Sequence, residues 1–154
     1  MCYEPSPFNR KWYSHKFKRA GLTYEIGLNV HTGDICWAFG GFPAGLGDLD
    51  MARKGVLKRI SRREKIIADN GYIGLPDKII VPSDDVSSIE NKRHKLLMAR
   101  HEHINKRVKD FKCMNSIWRH GWKAHIMTFY AIVNIVQIKL ETMEPMPLLY
   151  LLEE

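Results

Sequence analysis

The clearest alternation in the chain runs from Leu22 to Val30. Leu22, Tyr24, Ile26, Leu28 and Val30 fall on one side, and Thr23, Glu25, Gly27 and Asn29 on the other. A period of two marks a strand. His31-Thr32-Gly33-Asp34 supplies turn residues and Ile35–Phe39 returns, so a β-hairpin is expected. Gly40–Gly47 is glycine-rich and reads as a loop. The spacing then becomes helical: with Asp48 as N-cap, a helix to about Ile60 would bury Met51, Val56, Leu57 and Ile60. In Glu64–Tyr72, the apolar run Ile66-Ile67-Ala68 stops on Asp69 and the turn dipeptide Asn70-Gly71 follows. That is the pattern of a buried strand and its exit. Gly74 to Ser88, with two prolines, reads as an irregular connection. From about Ser88 to Met114, Leu97, Ile104, Val108 and Phe111 form one helical stripe. A last packing helix, residues 122–141, carries Ile126, Phe129, Tyr130, Val133, Val136 and Leu140.

The first 21 residues have no such period. Pro5 and Pro7 argue against helix, so an extended segment followed by a loop is expected. Arg10, Lys11, His15, Lys16, Lys18 and Arg19 are interleaved there with Trp12, Tyr13 and Phe17. Such a mixture suits a nucleic-acid backbone lined with stacking rings; it equally suits a solvated loop whose rings pack on the domain. The whole chain shifts the weight toward an anionic partner: 24 Lys and Arg stand against 17 Asp and Glu, a net charge of +7. Its 154 residues are enough for one domain with a real core.

Other classes are disfavoured. The three cysteines, Cys2, Cys36 and Cys113, have no metal-type spacing and are odd in number, which points to reduced thiols and an intracellular protein. The most apolar segment, Ile126–Ile138, is interrupted by Asn134 and is shorter than the roughly 20 residues that span a bilayer, so no membrane association is expected. His101, His103, His120 and His125 could form a zinc set, but His101 and His103 would point about 200° apart on one helix.

Two acids stand out. Asp69 sits where a strand would hold a carboxylate rigidly while its tip stays wet, although Asp before Asn-Gly is also ordinary turn chemistry. Glu102 shares a helix face with Lys95, Lys106 and Lys109, away from the apolar stripe. With Lys106 it forms an i,i+4 pair of the favourable order.

Hairpin, helix, acid-ending strand, connection, and helix with an acid on its polar face is also the order of a ribonuclease-H-like nuclease. The chain resembles the DDE-type transposases, specifically the Harbinger-like and insertion-sequence-related group. The resemblance rests on Trp12–Phe17 (WYSHKF), Leu22–Val30, Gly33–Trp37, Ile67–Tyr72 (IADNGY) and Ala99–Phe111 (ARHEHINKRVKDF), and on the later WRHG…H and AIVNIVQI segments. It implies an α/β ribonuclease-H-like fold, with a mixed sheet and flanking helices, over one partial domain of residues 1–154. It makes Asp69 the second and Glu102 the third of three catalytic, metal-binding acids. It implies Mg²⁺ or Mn²⁺ as cofactor, since two-metal phosphodiester cleavage needs hard cations on carboxylates. DNA is the implied partner, held weakly by Arg10, Lys11, Lys16, Lys18, Arg19, Lys106 and Lys109, with self-association or a longer transposase chain as further partners. In a eukaryote the site of action would be the nucleus.

The family's first acid has no counterpart here. It would precede Cys2-Tyr3-Glu4-Pro5, and Glu4, Asp34, Asp48 and Asp50 are poor substitutes. The strand that carries it is central in the family, expected between the hairpin's second strand and the Asp69 strand, and it is largely missing; Met1–Glu4 has room only for its tail. The expectation is therefore a transposase fragment that binds metal weakly and is inactive alone. The alternative is a non-catalytic DNA-binding or protein-interaction remnant.

Overall fold

The computed structural model describes residues 7, 9–15, 18–82 and 89–147. Met1–Glu4, Lys16, Phe17 and the end of the chain from residue 148 lie outside the described residues. The architecture is mixed α/β, with three two-stranded sheets and helices packed on them.

The basic-aromatic segment is more ordered than the expected loop. Asn9 caps a 3-10 turn, Arg10–Trp12, through its side chain, and β1 (Tyr13–Ser14) then pairs antiparallel with β2 (Arg19–Ala20). The hairpin's strands are β3 (Leu22–Leu28) and β4 (Ile35–Pro43). The Asn29 carboxamide fixes their turn by accepting from the amides of His31 and Thr32. β4 continues through Gly40 and Gly41, where a loop was expected. Tyr24 pairs with Gly40 and Thr23 with Phe42, so Gly41 is the extra residue of a bulge. Both glycines have positive φ, and a Cβ on Gly40 would lie 2.6 Å from the Tyr24 Cα. Glycine thus lengthens the strand here.

Helix α1 (Asp48–Lys54) is shorter than its apolar spacing predicts. Gly47 is its N-cap, with Asp48 inside the first turn, and Gly55 ends it by closing onto the carbonyls of Met51 and Ala52. Gly55 also presses on the Phe39 ring, where a Cβ would have no room. A 3-10 turn, Val56–Lys58, follows. Strand β5 is only Ile66–Ile67. It pairs in parallel with β6, Ile79–Ile80, inside the stretch expected to be irregular.

Helix α2 (Ile89–Asp110), a short α3 (Lys112–Asn115) and α4 (Trp122–Thr142) complete the chain. The two long helices match their apolar stripes. Ile104 and Val108 of α2 meet Phe129, Ile132, Val133, Val136 and Leu140 of α4 in one buried cluster. Tyr24, Ile26, Leu28, Ile35 and Ala38 pack onto it from the hairpin. Gln137 ties α4 to the hairpin, its Oε1 accepting from the Ile35 amide at 2.7 Å. Arg100 ties α2 to the hairpin turn by donating to the Val30 carbonyl at 3.0 Å.

The sheets leave an opening. Ile66 and Ala68 donate to the Lys78 and Ile80 carbonyls. By the alternation of a parallel ladder, the peptide groups of Ile67 point the opposite way. Ile66, Ile67 and Ala68 line a cavity of about 340 Å³, whose other wall is β3 from Glu25 onward and whose cover is α2. Most of its hairpin lining comes from β3, with Cys36 and Trp37 from β4, whereas the family's central strand was expected beside the hairpin's second strand.

Candidate functional site

The cavity's mouth is built by the exit of β5. Asp69 leaves the strand extended and caps the 3-10 turn Asn70–Tyr72, its Oδ1 accepting from the Gly71 amide at 2.9 Å. The carboxylate is exposed, so turn chemistry and a wet strand-end acid occur together in one residue. The turn sends Tyr72 back toward the hairpin, where its hydroxyl donates to Glu25 Oε1 at 3.5 Å. The other carboxylate oxygen of Glu25 accepts from Trp37 Nε1 at 2.8 Å.

Three carboxylates from three elements surround Tyr72. Glu25 comes from β3, Asp48 from the first turn of α1, and Asp69 from β5. Asp48 and Asp69 flank Gly71: a Cβ there would lie 2.8 Å from Asp48 Oδ2 and 3.0 Å from Asp69 Oδ1. Burial raises the Tyr72 hydroxyl well above its ordinary range, and the charges of Glu25, Asp48 and Asp69 raise it further. Glu25 is 7% exposed. Burial pushes its carboxyl above the usual carboxylate range, against the hydrogen bond from Trp37. This end of the cavity therefore favours a protonated phenol and a carboxyl that binds its proton more tightly than in water.

Helix α2 brings two histidines to this side. His94 is 6% exposed and packs by the exit of β5. Burial lowers its pKa, opposed by the Ala68 carbonyl and the Asp69 charge. Its Nε2 is buried, with no hydrogen-bond partner among the described residues. Two turns on, His101 Nε2 lies 2.8 Å from the Ile26 carbonyl. That oxygen can only accept, so Nε2 carries the proton, and Nδ1 is left to accept from Asn105 Nδ2 at 3.2 Å. His101 thus supplies to the free edge of β3 the donor a neighbouring strand would supply.

Glu102 is turned by about 100° from His101. It is exposed and does not line the cavity. The two acids expected to act together are thus placed differently, Asp69 at the cavity mouth and Glu102 on the open face of α2. Among the described residues, no group of three or more His, Cys, Asp or Glu is gathered so as to hold a metal ion. His101 and His103 are likewise apart, His103 accepting from Arg107 Nε.

The expected DNA-contacting residues lie on two surfaces. Arg10, Lys11, Lys18 and Arg19 are exposed on the β1–β2 unit, and Lys106 and Lys109 on α2; Lys16 lies outside the described residues. No helix among the described residues is long and apolar enough to cross a membrane.

Glu25, Tyr72 and His94 were not singled out from the sequence, and His101 was considered only as part of a zinc set. The alternation that assigned Glu25 to the second face of β3 carried no sign that this face would be covered. No family model, curated protein or solved structure matches the chain.

Proposed function

We propose that the chain is a ribonuclease-H-like nuclease domain of the DDE transposase kind, one that binds DNA and cleaves it poorly or not at all as it stands. The observation that carries this reading is the cavity between β3 and β5. In the family's sheet, the first strand is expected between the hairpin's second strand and the strand bearing the second acid. Here an opening lies between the hairpin, chiefly its first strand, and the Asp69 strand, which pairs in parallel with β6. Asp69 sits at its mouth and α2 covers it.

Phosphodiester cleavage in the family relies on Mg²⁺ or Mn²⁺, which activates the attacking oxygen and stabilises the leaving one. Of the two family acids, only Asp69 stands at the opening, with Glu102 on the exposed face of α2. Weak metal binding follows. The exposed cations of the β1–β2 unit and α2 favour the second reading, a DNA-binding module without cleavage. Either reading places the protein with DNA inside the cell, in the nucleus of a eukaryote.

Plasmid nicking in Mg²⁺ or Mn²⁺, run beside DNA binding at several salt concentrations, separates the readings. Cleavage that disappears in both Asp69→Asn and Glu102→Gln supports the nuclease. Binding that weakens steeply with salt, without cleavage, supports the module. Absence of both activities sinks the two together.

A further inference from the structure

Helix α4 is apolar on two sides. One stripe is buried against the hairpin and α2. A helix of an ordinary surface layer turns polar residues outward on the other side; the residues α4 turns outward are mostly apolar, with Asn134 among them. Its three charged residues, Lys123, Lys139 and Glu141, all lie in its end turns. Between them, Met127, Ala131, Asn134, Ile135 and Ile138 fall within about 100° of one another around the axis. All five are exposed, with Met127 at 74%, Ile138 at 58% and Ile135 at 49%. Scattered single apolar residues on a surface need no explanation, whereas a contiguous helical stripe of them marks an interaction surface.

The stripe matches itself. Place a second α4 antiparallel to the first, with a two-fold axis crossing between Ile132 and Val133. Met127 then faces Ile138 of the second copy, and Ala131 faces Asn134. Small side chains therefore meet at the centre, where the helices must approach most closely. Lys123 of each copy comes beside Glu141 of the other, so opposite charges meet at both rims. A parallel pairing would set Lys123 beside Lys123 and Glu141 beside Glu141. Covering the stripe on both copies removes on the order of 1,000 Å² from water, near the low edge for a specific complex.

We propose that this face of α4 is a homodimer interface, occupied by a second copy of the chain in an antiparallel, two-fold arrangement. The isologous symmetry is that of most small soluble oligomers. An interface of this size, with no deep pocket at its centre, gives a dissociation constant in roughly the micromolar range. The dimer is independent of the nuclease reading, since none of its residues lies at the cavity.

Sedimentation velocity across the micromolar range, in reducing buffer without DNA, tests the proposal. The wild-type chain is expected to pass from monomer to dimer, and Ile138→Lys to stay monomeric at least tenfold higher in concentration. Lys123→Glu and Glu141→Lys should each weaken the dimer several-fold, and the double exchange should restore it. Circular dichroism and the thermal midpoint check that these exposed substitutions leave the fold intact. Because the charge exchanges lie at the helix ends, they remain informative if Ile138→Lys disturbs folding. A wild-type chain monomeric throughout the range, a dimer undiminished by Ile138→Lys, or a double exchange that fails to restore association overturns the proposal.

Discussion

The two faces of the β3–β4 hairpin are built to different standards. Against the face of Tyr24, Ile26 and Leu28, helices α2 and α4 form a dry layer centred on Phe129 and Ile104, both essentially inaccessible to water. The face of Glu25 and Trp37 meets α1, the Tyr72 turn and two-residue strands, around an open cavity bounded by carboxylates. Apolar packing is concentrated in the first region and ionisable groups in the second. The division is physical: close packing excludes the water and polar groups that a reactive site needs, and groups held around a cavity forgo the contacts that packing would give.

The largest effect should separate the two regions directly. Phe129→Ala removes a ring at the centre of the helical layer and is expected to cost about 3–5 kcal/mol. Ile67→Ala, on the cavity wall, should cost about 1 kcal/mol, because its side chain already borders empty space. Urea denaturation measures both; similar costs at the two positions would break the comparison.

Next is Glu25, where chemistry meets packing. Glu25→Leu leaves the Trp37 N–H and the Tyr72 hydroxyl without their acceptor in a buried setting. A loss of about 2–4 kcal/mol is expected. Glu25→Gln keeps an acceptor and removes the buried charge, and should match or exceed the wild type at neutral pH. Because burial raises this carboxyl, the folded state binds its proton more tightly than the unfolded chain. Wild-type stability from this group is therefore present at low pH and declines as pH rises through the folded pKa. Glu25→Gln should lack that decline.

A smaller effect of opposite sign belongs to the helical layer. His125 is 3% exposed, its Nδ1 lies 2.6 Å from the Tyr24 hydroxyl, and its Nε2 is buried with no partner among the described residues. Burial lowers its pKa from the ordinary 6.5 to about 4. The unfolded chain therefore takes up the proton first as pH falls. Stability should be complete above pH 6.5 and decline by about 1–3 kcal/mol on the way to pH 4. His125→Phe, measured in parallel, should flatten the curve in that window; an unchanged slope would assign the dependence elsewhere.

Much of the helical layer was legible because amphipathic spacing encodes it. Ile104, Val108, Phe129, Val133, Val136 and Leu140 declared both long helices and their buried stripes, and the alternation from Leu22 declared the hairpin. The cavity side was harder to read because its features depend on tertiary pairing. Nothing local distinguishes Gly40 and Gly41 in a bulge from glycines in a loop. Ile79–Ile80 gains strand character only by pairing with Ile66–Ile67, 13 positions earlier in the chain. Period two assigns Glu25 to a face without saying that Tyr72 will cover it. Helical spacing turned Glu102 away from the apolar stripe, yet only the docking of α2 shows that His94, not Glu102, faces the exit of β5. The outer stripe of α4 was present in the composition of the helix, hidden by the stronger stripe behind it.

The smallest effects belong to the acids themselves, and they decide how any loss of activity is to be read. Asp69 spends one oxygen on the Gly71 amide. Asp69→Ala should therefore cost about 1 kcal/mol, the ordinary value of a lost capping acceptor. Asp69→Asn retains an oxygen that can accept the same bond and should stay within about 0.5 kcal/mol of the wild type, as should Glu102→Gln on its exposed face. If thermal unfolding gives those values, a loss of cleavage or DNA binding in Asp69→Asn cannot be blamed on the fold. If Asp69→Asn instead destabilises as much as Asp69→Ala, the charge is holding the turn beyond the bond it accepts. Asp69 would then belong to the structural side of the comparison.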